Sequence, residues 1–575
     1  MKFLSIRLVV LWSAVWAGWV LPAAVQPVQH LTITQPGGMP GLPLLESICK
    51  RTNGIQINWT GPSGYYQVLQ ASNRLTAPWI ALGPATNLIC TATITKLYTN
   101  AFFRVSGPAP KYAGSQQCLA CHQAVCQYET NTLHTSSFTD PAFKALGGQT
   151  NATCLPCHTV GYGLPTGFAL TNHAGYYSYT TNLAGVQCEN CHGPAANHVA
   201  SEDDPSVRPR VEIAATLCGG CHSASHTTYT NAPTYEEWST SGHAAVVPAV
   251  LADMAAATND IRTCGACHSG SARLALLNGQ DPAFTLANDY NVAVSCVVCH
   301  DPHETNSTAP VQLRNPLSST NAIHLADADL ASLAAFTNFY KTCTNVNLCA
   351  QCHNDRGASY TNTDCAPHHS MQYNFLLGSV GELPGGTATF NPSSHVGQPG
   401  DAVESISGTF YLTNQCVSCH MPAEAAAPGA PVHTFTPAYT VCANCHDGTE
   451  AQAFLTPDLS NQVSFLIFTL NRWAALKAPA ALQTNGVVAW EYTTPGGLNW
   501  TTGPGGYVTG WTLGGPVTFT GPSAAGQALV PTNILKARYN LYLVLNDGSF
   551  GVHNPILALN ILDAAQNWVY QELEP

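Results

Sequence analysis

Apolar and polar residues alternate with a period of two near the start of this chain. Near its end they recur with a helical period, and neither period organises the stretch between. Ile55-Gln56-Ile57-Asn58-Trp59 and Thr91-Ala92-Thr93-Ile94-Thr95 alternate strictly. Tyr65 to Gln70 and Phe102 to Val105 also read as strands, with Gly, Pro and Asn between them. Residues 28–107 are therefore expected to form a small β-sandwich. Val463, Leu466, Ile467, Leu470 and Trp473 follow helical spacing. Residues 484–525, rich in Gly, Thr and Trp, predict a β-hairpin excursion. Helix returns at about 532–546 and stops at the turn Asn546-Asp547-Gly548. Pro555 then occupies the first position of a final helix, with Asn554 as its cap. Residues 111–446 read as loops with short helical pieces.

Residues 1–24 follow another pattern. A basic start (Lys2, Arg7) precedes an apolar run from Leu8 to Leu21, then Ala23 and Ala24. This predicts a secretory signal peptide, cut after Ala17, Ala23 or Ala24. The competing reading, a membrane anchor, is disfavoured because a span needs about 20 apolar residues. No other stretch approaches that length, so the expected product is exported, with no membrane span after signal removal, and periplasmic or cell-surface/extracellular.

Composition sharpens this picture. Only 9% of the 575 residues are charged, with 20 Lys and Arg against 32 Asp and Glu, while 45% are hydrophobic. Disorder combines low hydrophobicity with high charge, so it does not explain the deficit. The net charge of −12 argues against a nucleic-acid partner. The 23 Cys and 22 His are the informative excess.

Eighteen of those cysteines belong to one repeated pattern, Cys-x-x-Cys-His. The nine copies are Cys118-Cys121-His122, Cys154-Cys157-His158, Cys188-Cys191-His192, Cys218-Cys221-His222, Cys264-Cys267-His268, Cys296-Cys299-His300, Cys349-Cys352-His353, Cys416-Cys419-His420 and Cys442-Cys445-His446. Chance at this composition gives about 0.03 copies. Two thiols three residues apart lie on one face of a helical turn and can form thioethers with the two vinyl groups of a haem. The following His then sits beneath the iron. This is the attachment signature of c-type haem, and it implies nine covalently attached haem c. A zinc ribbon would pair Cys-x-x-Cys units without an obligatory His. Nine haems in residues 111–446 leave about 37 residues each, too few for a private polypeptide shell. The haems must form much of the core and pack on one another, which makes a path for electrons. The expected fold class is thus multidomain. It comprises the N-terminal β-sandwich, a mainly α and loop-rich multihaem cytochrome core over 111–446, and a C-terminal helical segment (447–575) carrying the β-hairpin insertion.

The sixth position on each iron is the next question. Only five Met exist, and Met1 and Met39 lie outside the haem zone, leaving Met254, Met371 and Met421. Ligation cannot be mainly His/Met, so bis-histidine ligation is the default and implies lower potentials. Thirteen His remain after the nine proximal ones, and His30 is the least suited because it precedes the β-zone.

Local context now carries a resemblance. Cys154-Leu155-Pro156-Cys157-His158-Thr159-Val160-Gly161 and Gly185-Val186-Gln187-Cys188-Glu189-Asn190-Cys191-His192-Gly193-Pro194, followed by His198, make residues 114–200 resemble the tetrahaem cytochromes that accept electrons from hydroxylamine oxidoreductase. The resemblance implies a distal role for His198. Tyr235-Glu236-Glu237-Trp238 leading to Ser241-Gly242-His243 resembles a segment that donates a distal His, and Tyr128 to His134 is a weaker copy. Cys299-His300-Asp301-Pro302-His303, Pro367-His368-His369-Ser370, and Cys419-His420-Met421-Pro422 followed by His433-Thr434-Phe435 resemble segments of larger multihaem cytochromes. Gly551-Val552-His553-Asn554-Pro555 is similar to the C-terminal part of the nitrite reductase and octahaem oxidoreductase group. The assignment is His134, His198, His243, His303, His369, His395, His433 and His553. His173, His226 and His324 compete for a ninth place, and His368 could replace His369. Trp59, Tyr66-Gln67-Val68-Leu69, Trp79 and Phe103-Arg104-Val105 make residues 28–107 resemble fibronectin-type-III-like modules.

Five cysteines fall outside the motifs. Cys49 could pair with Cys90 and Cys343 with Cys365, which leaves Cys126 as a buried thiol or an intermolecular contact. The leading functional reading is an electron carrier acting between redox protein partners or towards a terminal acceptor. Nitrite-reductase relatives attach their catalytic haem through a motif ending in Lys, and all nine motifs here end in His. An oxidoreductase acting on a small nitrogen or sulfur compound at one open haem is the second reading. A subunit that self-assembles into a conductive filament is the third. Haem propionates would add about 18 negative charges, making the loaded protein far more acidic than its sequence.

Overall fold

The computed structural model describes the strands between 31 and 106, most of 111–223, and residues 233–245, 263–281, 293–303, 312–314 and 348–388. It further describes positions 393 and 395, strands 402–405 and 408–411, and residues 416–424, 427–444, 450–502, 508–513 and 520–574. The signal segment, His30, Cys90, Cys126, His226, His324, Cys343, Cys445, His446 and the side chain of Cys49 lie outside the described residues. Two compact units divide the chain: Met1–Arg314 with Ala425–His433, and Asn315–Glu424 with Thr434–Pro575. The division runs inside the motif zone, so the first six motifs belong to one unit and the last three to the other.

In the first unit the alternating segments form strands β1 (Leu31–Thr32), β2 (Leu44–Arg51), β3 (Gly54–Thr60), β4 (Tyr65–Ser72), β5 (Ile80–Ala81), β6 (Thr86–Asn87), β7 (Thr91–Ile94) and β8 (Ala101–Ser106). One sheet has the order β1-β2-β3-β7; in the other β4 pairs with β5, β6 and β8. Ile57 of β3 is fully buried. Beyond the strands the unit is built of short turns of helix around small apolar clusters. Tyr112, Phe138, Leu155, Val160, Phe168 and Leu183 form one such cluster beside the second motif.

The second unit holds a conventional apolar core. Helix α1 (Glu450–Leu476) buries Leu459, Val463, Leu466, Ile467, Leu470, Trp473 and Ala474 at helical spacing. Helix α2 (Thr532–Asp547) is buried almost all round, from Ile534 to Leu545. Its polar residues therefore need partners inside the core. Asn540 accepts from the Glu382 amide and donates to the Glu382 and Ile561 carbonyls. Helix α3 (Pro555–Leu573) starts at its proline, and the Asn554 side chain accepts from the Leu557 amide. The hairpin Leu498–Thr502 with Val508–Leu513 pairs Trp500 with Trp511. It is shorter than the Gly- and Thr-rich stretch suggested, because Ala480–Val488 is 3-10 helix instead.

Arg538 is fully buried in this core. It donates to the Trp490 and Glu491 carbonyls and to Gln527 Oε1 at 2.8–2.9 Å, and it lies 4.0 Å over the Tyr492 ring. Removing the guanidinium takes a donor from each of these buried acceptors, and of the three the Glu491 carbonyl keeps another, Gln527 Nε2 at 2.8 Å. Arg538→Met should therefore cost the second unit about 3–5 kcal/mol, read as a lowered unfolding midpoint. Burial also pushes the Glu491 carboxyl above its usual range, against hydrogen bonds from Tyr542, Tyr492 and Gly496 and the nearby Arg538 charge. The folded state thus holds this proton more tightly than the unfolded chain. Its contribution to stability is full below the ordinary carboxylate range and is lost as pH rises through the raised value. Glu491→Gln should flatten that decline when unfolding midpoints are measured against pH.

Candidate haem-binding sites

Among the described residues the first eight attachment motifs fold as single helical turns, as their spacing requires. The His amide donates to the carbonyl of the first Cys in the motifs at His122, His158, His222, His268, His300 and His353, over 2.8–3.3 Å. An i to i+4 turn of this kind places both thiols and the imidazole on one face. Neighbouring motifs approach through their cysteines. Cys218 is hydrogen-bonded to Cys296 and Cys221 to Cys157 in the first unit, and Cys349 to Cys416 in the second.

Each proximal imidazole can now be followed to what faces it. His122 and His198 have ring centroids 6.5 Å apart, His134 and His222 6.1 Å, and His192 and His303 5.8 Å. His300 and His433 lie 6.3 Å apart, and His420 and His553 6.2 Å. A metal–imidazole bond of about 2 Å places each ring centroid about 3 Å from the metal, so two rings on opposite sides of one iron lie about 6 Å apart. The five pairs fit an axially ligated haem. Each joins a motif histidine to one of the distal candidates.

The other candidates are placed as follows. His158 stacks on Phe143 at 4.0 Å. This covers the imidazole face and fixes the ring plane. His353 Nδ1 is 3.2 Å from Gln372 Oε1. His368 and His369 stack on each other at 4.1 Å, and His368 Nδ1 is 2.9 Å from Ser370 Oγ. His395 Nδ1 donates to the Val552 carbonyl at 2.7 Å. His243 is half-buried just beyond helix Thr234–Thr240. His173 ends an exposed strand of the hairpin Leu170–His173 with Tyr176–Tyr179.

Backbone and side-chain contacts aim the rings. Thr132 caps the turn carrying His134, whose carbonyl accepts from Val186 just ahead of the third motif. Arg314 binds Asp301 at 3.0 Å and the Val297 carbonyl at 2.7 Å. Asp301 Oδ1 in turn accepts from the His303 amide. Glu237 accepts from the His433 amide at 2.8 Å, and Trp238 of the same helix donates to Val294 ahead of the sixth motif. Gly551 has φ of 86°, and a Cβ there would strike Leu459, so glycine lets the His553 segment pack on α1.

Nδ1 partners fix which nitrogen faces the iron. His420 Nδ1 donates to the Phe435 carbonyl and His433 Nδ1 to the Pro431 carbonyl, both at 2.9 Å. A carbonyl can only accept, so the proton is on Nδ1 and the Nε2 lone pair is free for a metal. Burial lowers the proton affinity of His353, His369, His420 and His433 and favours the neutral, ligating form. For His553 burial acts the same way, but the Asp547 carboxylate at 2.7 Å outweighs it and raises the affinity.

Two residues in this layer were missed by sequence reasoning, Glu189 and Asp547. Glu189 lies between the cysteines of the third motif and is 1% exposed. Its carboxylate accepts from the amides of Ala113, Gly114 and Ala195 at 2.7–3.1 Å. Gly114 leads directly into the first attachment helix, and Ala195 into helix Ala196–Ala200, which carries His198. One side chain thus ties down both ends of the His122–His198 pair. Gly114 has φ of 86°, and a Cβ there would lie 2.9 Å from the Asn182 carbonyl oxygen.

Residues 117–193 and 217–301 match the family model described as cytochrome c554 and c-prime. Residues 411–451 match the doubled CXXCH motif. No curated protein matches the chain. Among solved structures, it is similar to the outer cell wall cytochrome OcwA, at 17% identity and TM-score 0.46, over 80% of this chain and 99% of that one. It is also similar to the undecahaem cytochrome from the S-layer of Carboxydothermus ferrireducens, at 19% identity and TM-score 0.45, over 81% of this chain and 70% of that one. The family matches, together with the repeated motif, define a multihaem c-type cytochrome with covalently bound haem. Among the described residues no helix is long and apolar enough to cross a membrane.

Glu189→Ala leaves three amides without their acceptor, at about 1–3 kcal/mol each. The variant should show a new high-spin haem component in its electronic spectrum, while Glu189→Gln, which keeps one acceptor oxygen, should show less.

Proposed function

We propose that this chain is an exported nonahaem cytochrome that carries electrons along mostly bis-histidine haems, between redox protein partners or to a terminal acceptor. The observation that carries the reading is the set of five imidazole pairs at axial spacing. When bound, each haem supplies a one-electron ferric/ferrous couple. The polypeptide supplies the cysteines that hold it, the imidazole on either side, and the spacing to the next site. That spacing is set where Cys157 meets Cys221, Cys218 meets Cys296 and Cys349 meets Cys416. In the five sites with an imidazole on either side, the protein would fill both axial positions and keep small molecules off the iron. This favours carriage over catalysis.

The N-terminal strands serve in this reading as a separate fibronectin-type-III-like module that docks the cytochrome. The chain passes from β3 in one sheet to β4 in the other, back to β7 and across again to β8. Such crossings suit two sheets that share one core. The basic, apolar, small-residue order of residues 1–24 supports export.

The test is a haem count by intact mass together with carbon monoxide titration of the reduced protein. The expected result is nine haems per chain and no haem that binds carbon monoxide. Binding by one or more irons would replace carriage with chemistry at an open haem.

A further inference from the structure

Asp547 stands where a carboxylate is costly. It is the last residue of α2, at the negative end of the helix dipole, and its side chain is fully buried. What offsets that cost is visible. One carboxylate oxygen lies 2.7 Å from His553 Nδ1. The other accepts from the Ser549 amide at 3.3 Å and from the Ser549 hydroxyl. The Asp547 carbonyl also accepts from Gln372, the residue whose Oε1 faces His353.

This differs from four other imidazoles of the chain. His420, His433 and His395 each direct Nδ1 to a neutral backbone carbonyl, and His353 directs Nδ1 to an amide oxygen. A charged acceptor forms the stronger hydrogen bond and draws the Nδ1 proton further off the ring. The ring becomes a more basic ligand, which favours the ferric over the ferrous state. A buried negative charge so close to the ring acts in the same direction.

We propose that Asp547 is a positioning and potential-setting residue. It orients His553 and makes the haem of the eighth motif lower in potential than that of the sixth, whose distal His433 directs Nδ1 to the neutral Pro431 carbonyl. The proposal rests on the reading of His420 and His553 as one axial pair.

The test uses the full-length haem-loaded protein in a potentiometric titration followed by electron paramagnetic resonance. His553→Ala first identifies the eighth haem as the low-spin signal that it converts to high spin. If no signal is lost, the axial reading fails, separately from the role of Asp547. In Asp547→Asn, that one signal should persist as low spin with its midpoint shifted upward and the other couples unmoved. An unmoved midpoint, or an equal shift of every couple, would overturn the proposal. Where Asp547→Asn does not take up its haems, Asp547→Glu keeps the charge but displaces it. It should give a smaller upward shift of the same signal, and no shift in that variant also counts against the role.

Discussion

Two imidazoles that share one iron must hold their ring centroids about 6 Å apart. This chain meets that distance between residues 76 to 133 positions apart in sequence. Each pair closes a long loop, and the pairs overlap along the chain, so one loop contains the attachment motifs of others. Closing a long loop costs only a little more entropy than closing a short one. A bond that fixes both ends takes that entropy from the unfolded chain, by an amount that grows only slowly with loop length. Much of the remaining structure can be read as support for these pairs: the Thr132 cap, the Arg314 clamp, the Glu189 carboxylate, the Glu237 contact to His433 and the Asp547 partner of His553.

The two units meet this requirement differently. The second brings a large apolar core of three helices, and α3 begins two residues after His553. Its ring is positioned by ordinary helix packing. The first offers short turns and small aromatic clusters, and its rings are aimed mainly by hydrogen bonds from buried and half-buried polar groups. This bears on the low charge content. Of the few charged residues, Glu189, Arg273, Glu382, Glu491, Arg538 and Asp547 are buried. Part of the small set of charges works inside the protein.

Legibility in the sequence followed the range of each interaction. The attachment motifs were readable because thioether chemistry needs two thiols three residues apart and the imidazole next to them, all within one turn. The start of α3 was readable for the same reason, since Asn554 and Pro555 act on backbone groups within one turn of themselves. The apolar stripe of α1 was readable from its period. The partner of each motif was not. His134 faces His222 and His303 faces His192, and no local signal encodes either choice. Glu189 and Asp547 were hidden in another way: one occupies a variable position of a motif, and the other belongs to what read as a turn. The role of Glu189 exists only once distant segments meet it, and that of Asp547 only once His553, six residues on, faces His420.

The five imidazole pairs stand or fall on where the irons lie. An experimental structure of the haem-loaded protein, at a resolution that shows axial ligands, should place one iron midway between the rings of each of the five pairs, from His122 with His198 to His420 with His553. An iron bound to any of these five motif histidines, but carrying another residue or a solvent molecule on its far side, would contradict the account.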